Sequence, residues 1–245
     1  AYYELYLKVF AAALTGLILV ARNDLVQRQA IATQKKLTSA YQRFVPEEIL
    51  STLGKNSILE LNLGDQIEQN MSILFSDIRE FTSTSEKLSP EQNFKFINDY
   101  LEIMVPIVQK NNGFVDKFIG DAVMAIFPES ANDAINCALE MQSAIPEVNT
   151  KINKYLDKEL EIGIGINTGM VRLGTLGALE RMEGSVISDA VNLAARVEQL
   201  TKQYPENIIV TEFTRMAASN YNFKELDAVK VKGKSHSVKI YGVSS

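Results

Sequence analysis

Two aspartates stand where apolar runs end. Asp77 follows "MSILFS" (71–76), a buried-strand pattern, and Asp121 sits in the Gly120-Asp121 turn of "FVDKFIGDAVMAIF" (114–127), which reads as a hairpin. If these strands are neighbours, both carboxylates project from one sheet edge. Like charges that close raise each other's pKa unless a cation lies between them. Magnesium suits such a pair, because it takes oxygen ligands and is commonly held by one or two carboxylates plus substrate phosphates. The competing reading is structural: Asp77 opens an Asp-x-x-Glu turn close to a capping box, and Asp121 fills a Gly-Asp turn. The residues alone leave both readings open.

A second constellation lies in "SDAVNLAARVEQL" (188–200), a capped helix. Asn192 and Arg196 are four residues apart and share one face. Val191, Leu193, Ala194 and Val197 take the packing side. An amide and a guanidinium on one face suit a ribose and a phosphate, and they equally suit an ordinary exposed face.

The elements around them follow from local signals. "SPEQ" (89–92) supplies an N-cap serine, proline at the first helical position and a capping-box glutamine, so a helix runs to about Lys110, where "NNG" stops it. A second helix covers about 132–155. "LEIGIGINTG" (160–169) reads as a strand and "MVRLGTLG" as a following strand and turn. "NIIVT" is a short strand before a helix, and two further strands close the chain. The order βαββαβ with additional αβ units predicts an α/β (α+β) sandwich, helices packed on a mixed sheet.

The N-terminus differs. "VFAAALTGLILVA" (9–21) is uncharged, but thirteen helical residues span about 20 Å against a hydrocarbon core of about 30 Å. It reads as the end of a transmembrane helix or as a buried helix. Tyr2, Tyr3 and Tyr6 before it, and Arg22, Arg28, Lys35 and Lys36 after it, favour the membrane reading with the following residues cytoplasmic, at the inner membrane. From 22 to 44, Val26, Ala30, Thr33, Leu37, Ala40 and Phe44 have the spacing of a weak coiled-coil seam, or of a helix packed on its own domain. The predicted organisation is an apolar helix (1–21), a helical linker (22–56) and a compact domain (57–245).

Composition narrows the chemistry. The 245 residues are 46% hydrophobic and 22% charged, with net charge −5 and no basic block, so no nucleic-acid partner is expected. The single cysteine, Cys137, excludes an internal disulfide, and the single histidine, His236, reads as a surface residue. With no Gly-x-Ser-x-Gly and no Walker loop, catalysis falls to carboxylates, basic side chains, amides and bound metal.

Together, "ILFSDIREFT", "FVDKFIGDAVMAIF", "IGINTG", "ISDAVNLAAR" and "VKVKGK" resemble, in order and spacing, the class III nucleotidyl cyclase catalytic domain. The resemblance covers about 71–243. It implies a ferredoxin-like fold similar to the polymerase palm, and conversion of ATP to 3′,5′-cyclic AMP and pyrophosphate with two divalent cations, Mg or Mn. On that resemblance, Asp77, Asp121 and the backbone carbonyl of Ile78 would bind the metals. Lys117 and Ser185 would read adenine, at positions where a guanylate cyclase is expected to carry Glu and often Cys. Asn192 would orient the ribose, Arg196 would stabilise the transition state, and Phe81, Thr82 and Lys232 would meet the triphosphate. An arginine that some members place before "IGINTG" is replaced by Gly163, which leaves Arg172 as a candidate triphosphate contact. In the family one subunit binds metal while the other supplies the base-reading and arginine residues, so the resemblance implies a homodimer with two composite sites. The upstream helix, carrying a membrane or sensor signal, would then set how the catalytic domains meet. A guanylate cyclase and a silent nucleotide-binding dimerisation module are the alternatives.

Overall fold

A computed structural model describes residues 2–42, 47–154, 158–178, 181–230 and 237–244. They fall into two units, residues 1–47 and 48–245. The first is one helix, α1 (Tyr2–Gln42), 41 residues or about 60 Å long. The expected seam residues Val26 and Leu37 are both more than half exposed on it, and Phe44 lies outside the described residues. The stretch Tyr2–Thr38 is long and apolar enough to cross a membrane. The uncharged run of thirteen is therefore only the middle of a longer helix.

The second unit opens on α2 (Glu47–Thr52), whose Ile49 is 2% exposed and packs with Met71, Val171 and Leu173. Residues 48–56 thus belong to the compact body. The chain continues as β1 (Gln66–Ile78), α3 (Phe81–Ser85), α4 (Pro90–Lys110), β2 (Phe114–Ile119), β3 (Ala122–Phe127), α5 (Ala131–Ile152) and β4 (Ile162–Ala178). It ends as β5 (Arg181–Ile187), α6 (Asp189–Leu200), β6 (Ile208–Thr211), α7 (Glu212–Ala217), β7 (Asn222–Lys230) and β8 (Ser237–Ser244). The strand order is β2-β3-β1-β4-β6-β8-β7, with β5 paired to β4. The first four strands are antiparallel in the order 2-3-1-4 with α4 and α5 between them, the ferredoxin-like arrangement expected.

Both faces of β1 are covered, which is why 71–76 reads as one apolar run instead of alternating. Leu74 and Ile78 face α4 and α5, packing with Phe96, Tyr100, Met104 and Met141. Ile73 and Phe75 face the other way, with Met124 and Ala194 of α6. Alternation puts Asp77 on this second face. Two expectations differ from the structure. Residues 162–178 form one strand, not two, because the pairing with β1 runs without a break from Ile162 to Gly174. Residues 181–187, to which the sequence assigns no element, form β5; only Ser185 and Val186 are buried there, so the hydrophobic pattern is faint.

The helix α6 is seated on β4 at contact distance. A Cβ at Gly165 would lie 2.1 Å from the backbone nitrogen of Glu198 and 2.8 Å from the carbonyl of Ala194. Ser188 caps the helix, accepting from Ala190 N–H while its own hydroxyl donates to the Met170 carbonyl at 2.6 Å. The buried Asn167 donates to the Ala190 carbonyl at 2.9 Å. Gly165→Ala is expected to push α6 off the sheet and destabilise the chain by about 1–3 kcal/mol. Urea unfolding measures this, and an unchanged midpoint would contradict the seating.

Candidate active site

The antiparallel pairing of β1 with β3 (Ser76 opposite Val123) brings the end of β1 to the Gly120-Asp121 turn, where Gly120 takes φ +66°. The Ile78 N–H donates to Asp121 Oδ2 at 3.1 Å. Burial first, and then the neighbouring Asp77 carboxylate, push the Asp121 pKa up to about 7. The Lys202 ammonium is 3.1 Å from Asp77 Oδ2. The two aspartates are thus brought together at one edge, and Ile78 lies between them in sequence and contact. The two carboxylates, with the Ile78 carbonyl that the sequence resemblance adds, would make a hard oxygen donor set of the kind Mg²⁺ or Mn²⁺ takes, the remaining positions left to water and phosphate. Among the described residues no group of three or more His, Cys, Asp or Glu side chains is placed to hold a metal by itself.

Three residues around this edge were not read from the sequence. Arg79 donates from Nη2 to the Thr201 carbonyl, the C-cap of α6, at 2.6 Å. Its guanidinium fills the space above Gly163, where a Cβ would lie 3.1 Å from Cζ. Glu198 of α6 is 6% exposed, and burial followed by Asp77 raises its pKa to about 7 against the opposing pull of Lys202 and Arg79. Lys202 follows four residues later. A glutamate four residues after Ala194 and next to Val197, on the packing side of an amphipathic helix, was the available signal. A cavity of about 520 Å³ adjoins, bordered by Ile78, Arg79, Thr84, Lys158, Thr201 and Lys202.

The base-reading candidates also meet, elsewhere in the chain. Lys117 donates to Ser185 Oγ at 2.8 Å and to Glu183 Oε1 at 3.2 Å, bordering a cavity of about 270 Å³. The pairing register of β2 shifts between Val115 and Lys117, a bulge at Asp116 that re-aims the lysine. The Asp116 side chain is fully buried, and burial raises its pKa to about 6 against the pull of Lys117 at 3.5 Å. Partial burial works against the Lys117 charge, yet Asp116 and Glu183 hold its pKa above the usual lysine value. Asp116 and Glu183 are further residues that the sequence reading missed.

Asn192 is exposed and Arg196 half-buried on α6, and among the described residues neither has a hydrogen-bond or ion-pair partner. Leu193, Ala194 and Val197 are buried as expected, while Val191 is half-buried. Phe81 and Thr82 open α3 behind Glu80, which has φ 55°, and Phe81 stacks on Phe96 at 6.1 Å. Arg172 pairs with Glu68 at 3.5 Å, nine residues along β1 from Asp77. Within one chain it is therefore not beside the aspartates, and the cation over Gly163 is Arg79. Lys232 and His236 lie outside the described residues.

Residues 64–245 match the family model described as the adenylate and guanylate cyclase catalytic domain. The chain is 39% identical over 220 residues to an adenylate cyclase of Anabaena cylindrica, covering 86% of this chain and 44% of that one. It spans less than half the length of the curated relatives it matches. Among solved structures, the adenylyl cyclase CyaB from P. aeruginosa aligns with a TM-score of 0.68 at 32% identity, over 74% of this chain and 96% of that one. The guanylyl cyclase Cya2 aligns with a TM-score of 0.66 at 34% identity, over 72% and 92%.

The raised pKa of Asp121 has a sign that can be tested. Between the unfolded value of about 4 and the folded value of about 7, the folded chain holds a proton that the unfolded chain releases. Its contribution to stability therefore falls as pH rises through that window. A divalent cation at the pair displaces the same proton. Calorimetric titration with Mn²⁺ in buffers of different ionisation enthalpy should show release approaching one proton at about pH 6 and little at about pH 8.5. Asp121→Asn should remove the pH-dependent part, and equal release at both pH values would contradict the assignment.

Proposed function

The chain belongs to the adenylate and guanylate cyclase catalytic-domain family, and on that footing we propose that it converts ATP to 3′,5′-cyclic AMP and pyrophosphate at two composite sites of a homodimer. The observation that carries the choice of ATP is the Lys117–Ser185 hydrogen bond at 2.8 Å. An ammonium held there donates to adenine N1, an acceptor; guanine N1 is itself a donor. Support for the composite arrangement comes from the separation of contacts within one chain. Lys117 turns to Ser185, Glu183 and Asp116, while Asp77 is met by Lys202. Among the described residues Asn192, exposed, and Arg196, half-buried, have no hydrogen-bond or ion-pair partner, which suits a substrate held by a second copy.

Asp77, Asp121 and the Ile78 carbonyl would hold two divalent cations. When bound, these supply activation of the ribose 3′-oxygen and charge neutralisation on the phosphates. Asn192 orients the ribose, and Arg196 neutralises charge that develops on the phosphates. The turn through Phe81 and Thr82, with Lys232, receives the triphosphate. In keeping with metal activation, no side chain is assigned as general base. The helix α1 anchors the chain at a membrane with the catalytic unit cytoplasmic, and couples an upstream signal to dimer geometry. A second reading, cyclisation of GTP, rests on Glu183, whose carboxylate borders the same cavity and could accept from guanine N1.

The purified chain with Mg²⁺ or Mn²⁺ and either nucleotide is the first test. Cyclic AMP from ATP is expected, and no cyclic product at high protein concentration would overturn the reading. Lys117→Met should lower kcat/KM for ATP about 10- to 100-fold, the loss of a hydrogen bond to a charged donor. Asp77→Ala and Arg196→Ala should each lose about 10²–10³ in rate. Mixing the two should restore one working site per heterodimer, whereas two sites each built within one chain would stay inactive on mixing.

A further inference from the structure

Lys202 lies just past the end of α6, about half exposed, so packing does not force its contact with Asp77. Glu198 lies four residues earlier, and its Oε1 is buried without a hydrogen-bond partner among the described residues. Glutamate followed four residues later by lysine is the favoured orientation of a helical ion pair. The backbone supports it: Thr201 is in the αR region and Lys202 N–H still donates to the Gln199 carbonyl at 3.2 Å, so the turn persists. Lys202 nonetheless passes over Glu198 for Asp77. The reason is electrostatic: Asp77 and Asp121 share one edge, and the ammonium is the positive charge in contact with that pair.

Arg79 cannot take this role as readily. Its Nη2 is committed to the Thr201 carbonyl at 2.6 Å, and its guanidinium is wedged above Gly163. Among the described residues its Nη1 is buried without a hydrogen-bond partner, and no ion pair joins it to Glu198. The cluster therefore gathers the carboxylates of Asp77, Asp121 and Glu198, the wedged guanidinium of Arg79 and the half-exposed ammonium of Lys202. An incoming divalent ion would displace the half-exposed ammonium more readily than the wedged guanidinium.

We propose that Lys202 is the resident counter-ion of the Asp77–Asp121 pair, and that it yields to a divalent cation by exchanging Asp77 for Glu198. Lys202 is thus a positioning residue that sets cation affinity without touching substrate. Glu198 is its parking site, where the ammonium would meet the buried Oε1 as the metal enters. The exchange also loosens the Asp77–Lys202 contact between β1 and the end of α6, while the Arg79–Thr201 hydrogen bond just past β1 stays in place. The inference rests on reading Asp77 and Asp121 as cation ligands, and does not depend on which nucleotide is cyclised.

The test uses the full chain, Mn²⁺ alone without nucleotide, and free Mn²⁺ read by electron paramagnetic resonance. Lys202→Met should tighten Mn²⁺ binding about twofold, an exposed ion pair worth about fivefold removed from competition less the several-fold that pairing with Glu198 returns. Glu198→Gln should weaken binding several-fold in the wild-type background, because the displaced lysine loses its partner. In the Lys202→Met background the same change should have little effect. That non-additivity separates exchange from a general loss of negative charge. Equal effects of Glu198→Gln in both backgrounds, or an unchanged affinity in Lys202→Met, would overturn the proposal while leaving the cation site intact. Wild-type binding that Asp121→Asn fails to weaken would instead overturn the cation-site reading itself, and the exchange with it. Thermal unfolding of each variant confirms that the comparison is between folded chains.

Discussion

Two carboxylates held at one sheet edge repel each other, and the surrounding structure is arranged around that repulsion. The pairing of β1 with β3 fixes it: Asp77 ends one strand, Asp121 sits in the turn that enters the other, and the Ile78 amide ties them. Burial removes water that would screen the charges, so the site favours a proton on Asp121, an ammonium beside Asp77, or a metal. A purely structural role for the two aspartates, as cap and turn residue, would not call for a partly buried pair. Neither would it call for a third carboxylate, Glu198, and two cations, Arg79 and Lys202, gathered behind it.

The helix α6 is what connects this edge to the rest of the chemistry. It lies directly on β4 because Gly165 has no side chain, and Ser188 and Asn167 pin its start. Its far end meets the aspartate edge through Arg79 and Lys202. Between its two ends it carries Asn192, exposed, and Arg196, half-buried. In the proposed dimer this one helix would serve both the chain's own cation position and the partner's substrate.

Much of this was legible in the sequence because the signals were local. The Ser89 capping box, the Gly120 turn and the Ser188 cap all stand where the residues place them. The aspartate pair was legible because two strand ends announce themselves by the loss of hydrophobicity. What was not legible depends on register and on long-range packing. Nothing near Arg79 in sequence says that its guanidinium will lie over Gly163, 84 positions later. The contact of Lys117 with Ser185 depends on a bulge in β2 and on β5, whose own pattern is too polar to read. Residues 66–70 of β1 alternate between exposed and half-buried, so the strand is longer than its apolar run.

The central claim is that Asp77 and Asp121 of one copy hold the cation while Lys117, Asn192 and Arg196 of another hold the nucleotide. Anomalous scattering from Mn²⁺ in crystals grown with a non-cyclising ATP analogue tests it most directly. Manganese peaks are expected bounded by the Asp77 and Asp121 carboxylates and the Ile78 carbonyl, with the adenine of that nucleotide against Lys117 and Ser185 of a second copy. Manganese elsewhere, or adenine against Lys117 of the chain that binds the metal, would contradict it.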